Sequence, residues 1–178
     1  KKINIIVIMN KSLINDQMLT TTLYINTGSI NKDIDNVISD KLQQKVGNIC
    51  NISGYILKNS IKIIKRGIGE ITTSNGISNV KYIVTYKCSV LVPCEGDIIE
   101  GFVHRINKLG VISYIKLGIK DVEKFEDSPL ISVTPNEYFE NSSFNIDDIN
   151  IGQRIKLKVV GVRTKYNSDK IQVVSTPL

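Results

Sequence analysis

The chain has 178 residues, a net charge of +6 and 42% hydrophobic residues. This length accommodates one large domain or two small ones, and the hydrophobic content excludes wholesale disorder. Trp and Ala are absent, while Ile, Val and Thr are frequent, which favours strands over helices. An A+T-rich genome would produce the same bias.

Apolar and β-branched runs predict five strands in the first half of the chain. They cover residues 3–9, 19–25, 50–57, 60–65 and 80–92. The third and fourth runs are separated only by Lys58 and Asn59, so we expect them to form a hairpin. The segment from Gly67 to Gly76 is punctuated by glycine and is expected to lead into the last strand.

One helix is predicted between the second and third of these strands. Apolar residues recur at helical spacing from Ile30 to Leu42, and Gly47 stands where a C-cap would end the helix. Ser29 and Asn31 are alternative N-caps. The first half, residues 1–92, is therefore predicted to be a β-α-β-β-β domain, with one helix on an antiparallel sheet.

The second half, residues 93–178, has an all-β pattern. Five strands with short links are predicted at 96–105, 110–116, 130–134, 152–164 and 170–175. Such a series is typical of a partly open Greek-key OB barrel. Asn, Ser and Asp are frequent at 141–150, which predicts a flexible loop there.

A glycine pattern marks the first hairpin of this barrel. Gly96, Gly101 and Gly110 are spaced around Val103 and Ile106. Glycine permits the entry turn, tight coiling and a turn with positive φ, while the two apolar residues supply core contacts. The spacing resembles the RNA-binding OB repeat of ribosomal protein S-one; a generic hairpin is the alternative.

Basic residues predict a phosphate-binding stripe on one barrel strand. Arg154, Lys156 and Lys158 alternate with apolar residues, and period two places them on one face. Such a stripe could track a nucleic-acid backbone, and a solvated outer face is an equally open interpretation. Lys170 extends the same surface. The predicted RNA-binding residues are Arg154, Lys156, Lys158, Arg163, Lys165, His104, Arg105, Lys108 and Tyr114.

Aromatic platforms for nucleic-acid bases are few. The candidates are Phe102, Tyr114, Tyr138 and Phe139. Of these, Tyr114 is expected to be a core or edge residue, and the nearby His104 to be an exposed residue of the barrel.

Residues for catalysis or metal binding are sparse. His104 is the only histidine, and Cys50, Cys88 and Cys94 lack metal-ligand spacing. The sequence has no Gly-rich phosphate loop and no nucleophile–base set. We therefore predict that the chain is not an enzyme by itself, has no metal or cofactor, and keeps reduced cysteines inside a cell. No apolar run reaches the roughly 18 residues of a membrane span, so no membrane partner is predicted.

Several short segments of the chain resemble segments of one protein family and occur in the same order. Gly54–Ile71 is similar to that family's Gly-Tyr-Ile strand and the glycine-containing segment after it. Tyr86–Pro93 resembles the strand that leads into its OB domain, and Ile155–Gly161 resembles one of its barrel strands. The family is the larger stalk subunit of multisubunit RNA polymerases, which includes the seventh subunit of polymerase II and its counterpart in the archaeal enzyme.

The chain departs from this family at three places. The loop 72–76 lacks the family's Pro and Asp, residues 1–17 exceed the usual start, and 120–129 resembles an acidic insertion. These departures suggest a divergent lineage such as a large DNA virus. The expected location is intracellular: a virion or cytoplasmic viral factory for a virus, the nucleus for a cellular eukaryote.

The resemblance implies a non-catalytic subunit whose head docks on the polymerase core near the clamp. The implied partners are polymerase core subunits, a small helical stalk partner and nascent RNA, which the OB barrel would contact. The implied docking tip comprises Thr27, Gly28, Ser29, Thr72, Thr73, Ser74, Asn75, Gly76 and Ile77. The basic first half, with a net charge of +7 up to Val92 against −1 from Pro93 onward, fits docking on an acidic surface. The alternative is a free-standing OB-fold RNA-binding protein of translation or RNA decay.

Overall fold

The structure, a computed structural model, describes residues 13–30, 33–74, 76–117, 124–140 and 146–178. The strand expected at 3–9 lies outside these residues. The chain divides into two compact units. We call Asp16–Asn48 with Ile56–Val90 the head unit, and residues 13–15, Ile49–Tyr55 and Leu91–Leu178 the barrel unit.

The described residues form one helix and eleven strands. In the first half these are β1 Ile14–Asn26, α1 Ile34–Val46, β2 Cys50–Asn51, β3 Gly54–Ile56, β4 Lys62–Arg66, β5 Glu70–Ser74 and β6 Ile77–Leu91. In the second half they are β7 Ile98–Asn107, β8 Gly110–Ile115, β9 Leu130–Pro135, β10 Arg154–Arg163 and β11 Ile171–Pro177.

The long strand β6 organises the head unit. β1, β4 and β5 all pair with it, and from Val80 to Val90 every second residue is buried, as expected for a strand with one face in a core. The helix buries Ile38, Leu42 and Val46. These residues recur every fourth position, so they form a single apolar stripe.

The helix begins later than predicted. Its N-cap is Asp33 rather than Ser29 or Asn31, and of these Asn31 lies outside the described residues. Ser29 belongs instead to a separate 3-10 turn, in which the Asn26 side chain accepts a backbone N–H at 2.8 Å. This local turn competes with helix formation. The predicted end of the helix at Gly47 is confirmed.

The hairpin predicted between 50–57 and 60–65 is wrong. β2 and β3, both inside the first segment, pair with each other, whereas β4 pairs antiparallel with β6. The Ser60 hydroxyl donates to the Leu57 carbonyl at 2.6 Å and accepts the Ser89 N–H at 2.8 Å. The turn is therefore tied to β6. β5 was not predicted, and it forms where only a glycine-punctuated stretch was expected.

The five strands predicted in the second half are confirmed. They form a barrel in the order β10-β11-β9-β8-β7, in which β7 also pairs with β10. The barrel is therefore closed rather than partly open. β9 and β11 are parallel, and the other four pairs are antiparallel. Five strands in this Greek-key order form an OB-like barrel.

Gly110 is fixed by both its backbone angle and its neighbours. Its φ is +142°, and a Cβ atom at this position would overlap the backbone carbonyl of Thr134. The preceding turn is held by Asn107, whose Oδ1 accepts the N–H groups of Leu109 and Gly110 at 2.9 and 3.1 Å. The expectation that this position needs glycine with positive φ is confirmed. Val103 is buried as expected.

The loop at 141–150, membrane-spanning helices and metal sites were also subjects of prediction. Of the loop expected at 141–150, residues 141–145 lie outside the described part of the chain, and Ile146–Asp148 form a 3-10 turn. Among the described residues, no helix is long and apolar enough to cross a membrane. The same residues contain no group of three or more potential metal-binding side chains.

Candidate nucleic-acid interface

The basic stripe lies on the outside of the barrel. Arg154, Lys156 and Lys158 are exposed, whereas Ile155, Leu157 and Val159 between them are buried. The predicted alternation is therefore confirmed. On one side β10 pairs with β7, so the three basic residues stand opposite Phe102, Glu100 and Ile98 respectively.

Arg154 already contacts two side chains within the barrel unit. Its Nη1 lies 3.9 Å from Glu100 Oε1, and its guanidinium carbon lies 5.1 Å from the centre of the Phe102 ring. An exposed ion pair of this length contributes at most about 1 kcal/mol. Arg154 can therefore exchange this carboxylate for a phosphate at little cost.

The structure separates the predicted RNA-binding residues into groups along the strands. Arg163 ends β10 and Lys165 follows in the turn, roughly 30 Å along the strand from Arg154 at 3.3 Å per residue. Lys108 lies in the turn after β7. Because β7 and β10 are antiparallel, this turn is at the opposite end of the ladder from Lys165. The basic residues do not form one continuous patch.

Four aromatic rings cluster beside Arg154, and we call them the aromatic cluster. They belong to Phe102, His104, Tyr114 and Phe125. Phe102 and Tyr114 are directly opposite in the β7–β8 ladder, and their ring centres are 5.7 Å apart. All four residues are half-buried. Tyr114 is thus part of an outer aromatic surface rather than of the barrel interior.

A β-bulge places His104 in this cluster. Val103 pairs with Ser113 and Arg105 with Ile112, which leaves His104 as the extra residue. Bulges commonly redirect side chains in this way. The imidazole stacks on the Phe125 ring at a centre-to-centre distance of 3.9 Å and an angle of 7°. His104 is therefore a packed member of the cluster rather than a freely exposed residue.

Lysine side chains also lie over the aromatic rings. Lys116 Nζ is 4.5 Å from the centre of the Phe102 ring and 6.0 Å from that of Tyr114. Such contacts hold a cation against a ring face with about 0.5–1 kcal/mol at exposed sites. Aromatic and positively charged groups therefore share one part of the barrel surface.

Lys170 has a structural role that differs from the predicted one. Its Nζ donates to the carbonyl oxygens of Phe125 and Glu126, both at 2.9 Å, and lies 4.8 Å from the centre of the Phe125 ring. The ammonium group thus fixes the turn that presents Phe125. The expectation that Lys170 extends the basic surface is wrong.

The two loops of the predicted docking tip are adjacent within the head unit. Thr27 Oγ1 donates to the carbonyl of Ser78 at 3.2 Å, which links the 27–29 turn to the β5–β6 hairpin. Gly76 in this hairpin has a φ of +75°, and no atom lies within 4 Å of the position that a Cβ would take. Asn75 and the side chain of Ser74 lie outside the described part. The role of these loops in docking stays a prediction.

Apolar side chains are exposed near this hairpin. Ile68 is 93% exposed, Ile71 77% and Ile77 55%. The first two border an open groove of about 680 Å³. Gly69 allows the chain to cross closely over Tyr82, because a Cβ there would lie 2.8 Å from the tyrosine ring. Exposed aliphatic side chains that border a groove, as Ile68 and Ile71 do, are typical of protein-interaction surfaces.

The ionisable groups with strongly raised pKa values lie in the cores. Burial raises the pKa of Tyr55 and of Tyr86 to about 12. Burial also raises the pKa of the Cys50 and Cys88 thiols. These thiols therefore stay protonated at neutral pH, and they are poor nucleophiles.

The sequence missed three residues of this surface. Phe102 was a candidate platform but was left out of the predicted site, and Lys116 and Phe125 were not considered. Phe139, another candidate platform, is 5% exposed and buried. The alternation of Phe102 with buried Val103 and of Lys116 with buried Ile115 could have revealed an outward face. Nothing local to Phe125 signals that its turn folds onto that face.

Comparisons with known proteins identify a viral relative. A protein of Acanthamoeba polyphaga mimivirus, named "Putative DNA-directed RNA polymerase subunit", is 26% identical over 152 residues, which cover 80% of this chain and 71% of the relative. No protein-family model matches the chain. Among solved structures, an uncharacterized protein of Methanocaldococcus jannaschii is 17% identical and matches 47% of this chain and 92% of its own, with a TM-score of 0.34. This structural likeness is too low to support an assignment.

Proposed function

We propose that the protein is a non-catalytic subunit of a DNA-directed RNA polymerase. The observation that carries this proposal is the similarity to the mimivirus protein. It extends over 80% of the chain, and neither the head unit nor the barrel unit is that large. The similarity therefore includes parts of both units, which a shared OB-like barrel alone would not explain.

Within such a polymerase, the chain would form the larger stalk subunit. The arrangement of one helix and a β-sheet in the head, followed by an OB-like barrel, supports this role. The adjacent tip loops, tied together through Thr27 and Ser78, would dock on the polymerase core near the clamp. The exposed side chains of Ile68 and Ile71 supply apolar area for that contact. A small helical stalk partner would complete the assembly.

The barrel would contact nascent RNA with the outer face of β10. Three exposed basic residues at alternate positions, Arg154, Lys156 and Lys158, match a phosphate backbone that runs along the strand. The mimivirus relative favours a viral polymerase, so the site of action would be the virion or a cytoplasmic viral factory. For a cellular polymerase it would be the nucleus.

Affinity purification of the tagged full chain from its native source, followed by mass spectrometry, tests the polymerase role. We expect both large polymerase subunits to be recovered in amounts comparable to the tagged chain and to persist after nuclease treatment. Recovery of ribosomal or RNA-decay proteins without large polymerase subunits would instead identify a free-standing RNA-binding protein. A tagged barrel segment, residues 91–178, is not a suitable substitute because Ile49–Tyr55 belongs to the same unit.

A further inference from the structure

The aromatic cluster lies on the outer surface of a closed barrel. The barrel interior is filled by other apolar residues, which include Ile99, Val103, Val111, Ile115, Leu157 and Ile171. In the β7–β8 ladder, Phe102 and Tyr114 occupy the positions between buried residues, so their side chains point outward. These two rings are therefore part of the outer surface of the barrel and not of its interior packing.

The rings of the aromatic cluster differ in the side chains that already contact them. Phe125 is stacked against His104, meets Tyr114 edge-on at 6.3 Å and has Lys170 over its ring. It is therefore a support that holds the neighbouring rings in place. Phe102 is contacted instead by the side chains of Lys116 and Arg154, which are long and can move aside.

The cations on Phe102 provide a reason to expect a nucleic-acid ligand. A base that stacks on the Phe102 ring would displace the Lys116 ammonium or the Arg154 guanidinium. The displaced cation would then bind the phosphate next to that base. Lys156, which is opposite Glu100 in the same ladder, is placed to meet the next phosphate. The exposed acids Glu126 and Asp127 follow Phe125 and limit the positive surface on that side.

We propose that Phe102 and Tyr114 stack against unpaired bases of single-stranded RNA, while Arg154, Lys116 and Lys156 bind the flanking phosphates. This inference rests on the proposed function for its choice of RNA. Duplex RNA does not fit, because its bases are already stacked and a side chain cannot reach their faces. His104 and Phe125 are positioning residues that fix the orientation of Tyr114.

The test measures binding of the full chain to a short mixed-sequence RNA, as single strand, as duplex and with abasic sites at its centre. The variant Phe102→Leu/Tyr114→Leu keeps apolar side chains but removes both ring faces. We expect it to bind intact single-stranded RNA about 10- to 100-fold more weakly at fixed salt, since one stacked base contributes about 1–3 kcal/mol. The salt dependence should stay unchanged, because no charge is removed.

Tyr166→Leu is the matched control. Tyr166 is 66% exposed and lies in the turn after β10, away from the aromatic cluster, so its loss should leave RNA affinity as it is. If the double variant does not fold, which thermal unfolding would reveal, Tyr114→Leu alone is used. A 2-aminopurine placed in the RNA gives an independent signal, since stacking quenches its fluorescence and the variant should relieve that quenching.

The abasic RNA decides between stacking and a structural role. If the rings stack on bases, wild type and the double variant should bind abasic RNA with equal, weak affinity. Unchanged binding of intact RNA by the double variant, or an equal loss on intact and abasic RNA, would overturn the proposal. Co-purification with polymerase is measured separately. A negative result in the RNA-binding test therefore does not contradict the polymerase role, and failure to recover polymerase does not contradict stacking on RNA.

Discussion

The barrel unit and the head unit expose different chemistry on their surfaces. The barrel closes on itself, and beside its basic strand it displays half-buried aromatic rings with cations over them. The head displays isoleucines, with Ile71 77% and Ile68 93% exposed. Cations and aromatic rings suit nucleic acid, whereas exposed aliphatic side chains suit a protein surface. This contrast is the basis for proposing RNA as the partner of the barrel and a protein as the partner of the head.

Net charge alone does not locate the candidate RNA surface. The chain up to Val92 has a net charge of +7, whereas the part from Pro93 onward has −1. The candidate RNA surface nevertheless lies on the second part, because Arg154, Lys156 and Lys158 share one strand face. Glu100 lies beside Arg154, and Glu126 and Asp127 follow Phe125, so acids border this surface without interrupting the basic face of the strand. The proposed surface is therefore chosen from the local arrangement of the charges and not from their sum.

The largest expected effect comes from the glycine that the closed barrel requires. Gly110→Ala should lower the free energy of unfolding by about 3 kcal/mol or more, because strain at positive φ adds to the overlap with the Thr134 backbone. Gly76 in the head also has a positive φ, but the space around it is open. Gly76→Ala should therefore lower the free energy of unfolding by only about 1 kcal/mol. Urea denaturation measures both, and equal losses would contradict the difference in packing.

The next effect concerns the salt dependence of RNA binding. Changing Arg154, Lys156 and Lys158 to Gln should reduce the slope of log affinity against log salt by about two for single-stranded RNA. The matched head variant changes Lys41, Lys62 and Lys65, which are also exposed, to Gln. A filter-binding salt titration should show an unchanged slope for it. Equal reductions would mean that only total charge matters.

The smallest effect appears at alkaline pH and affects both units. Tyr55 and Tyr86 have a folded-state pKa of about 12, whereas tyrosine in an unfolded chain ionises near 10. Above about pH 10 the unfolded chain therefore loses protons that the folded chain keeps, and stability falls as pH rises towards 12. Tyr55→Phe and Tyr86→Phe should each weaken this fall. Thermal unfolding followed at several pH values would show it, and identical pH profiles would argue against burial as the cause.

The barrel was predictable from the sequence because its strands are long and alternate. Ile155, Leu157 and Val159 are buried between exposed bases, as period two requires. The first half of the chain was less predictable, since β2 and β3 have only two and three residues. The pairing of β4 with β6 depends on contacts distant in sequence, such as that between Ser60 and Ser89. No local pattern contains that information.

The candidate site was predicted only in part for the same reason. The charges of β10 follow from its alternation, but the aromatic cluster depends on the bulge at His104 and on the turn that carries Phe125. The strand register that brings Phe102 opposite both Arg154 and Tyr114 is also a property of the closed barrel. These relations exist only once the chain has folded.

Recovery of polymerase by separate variants of the two units tests the central claim most directly. The full chain is tagged as wild type, as Gly76→Val in the tip and as Phe102→Leu/Tyr114→Leu in the barrel, and the large polymerase subunits that co-purify are quantified by mass spectrometry. We predict that Gly76→Val loses most of the polymerase while remaining folded, because valine at a φ of +75° distorts the hairpin, and that the barrel variant recovers as much as wild type. Absence of polymerase from the wild-type sample, or equal recovery with the tip variant, would contradict the account.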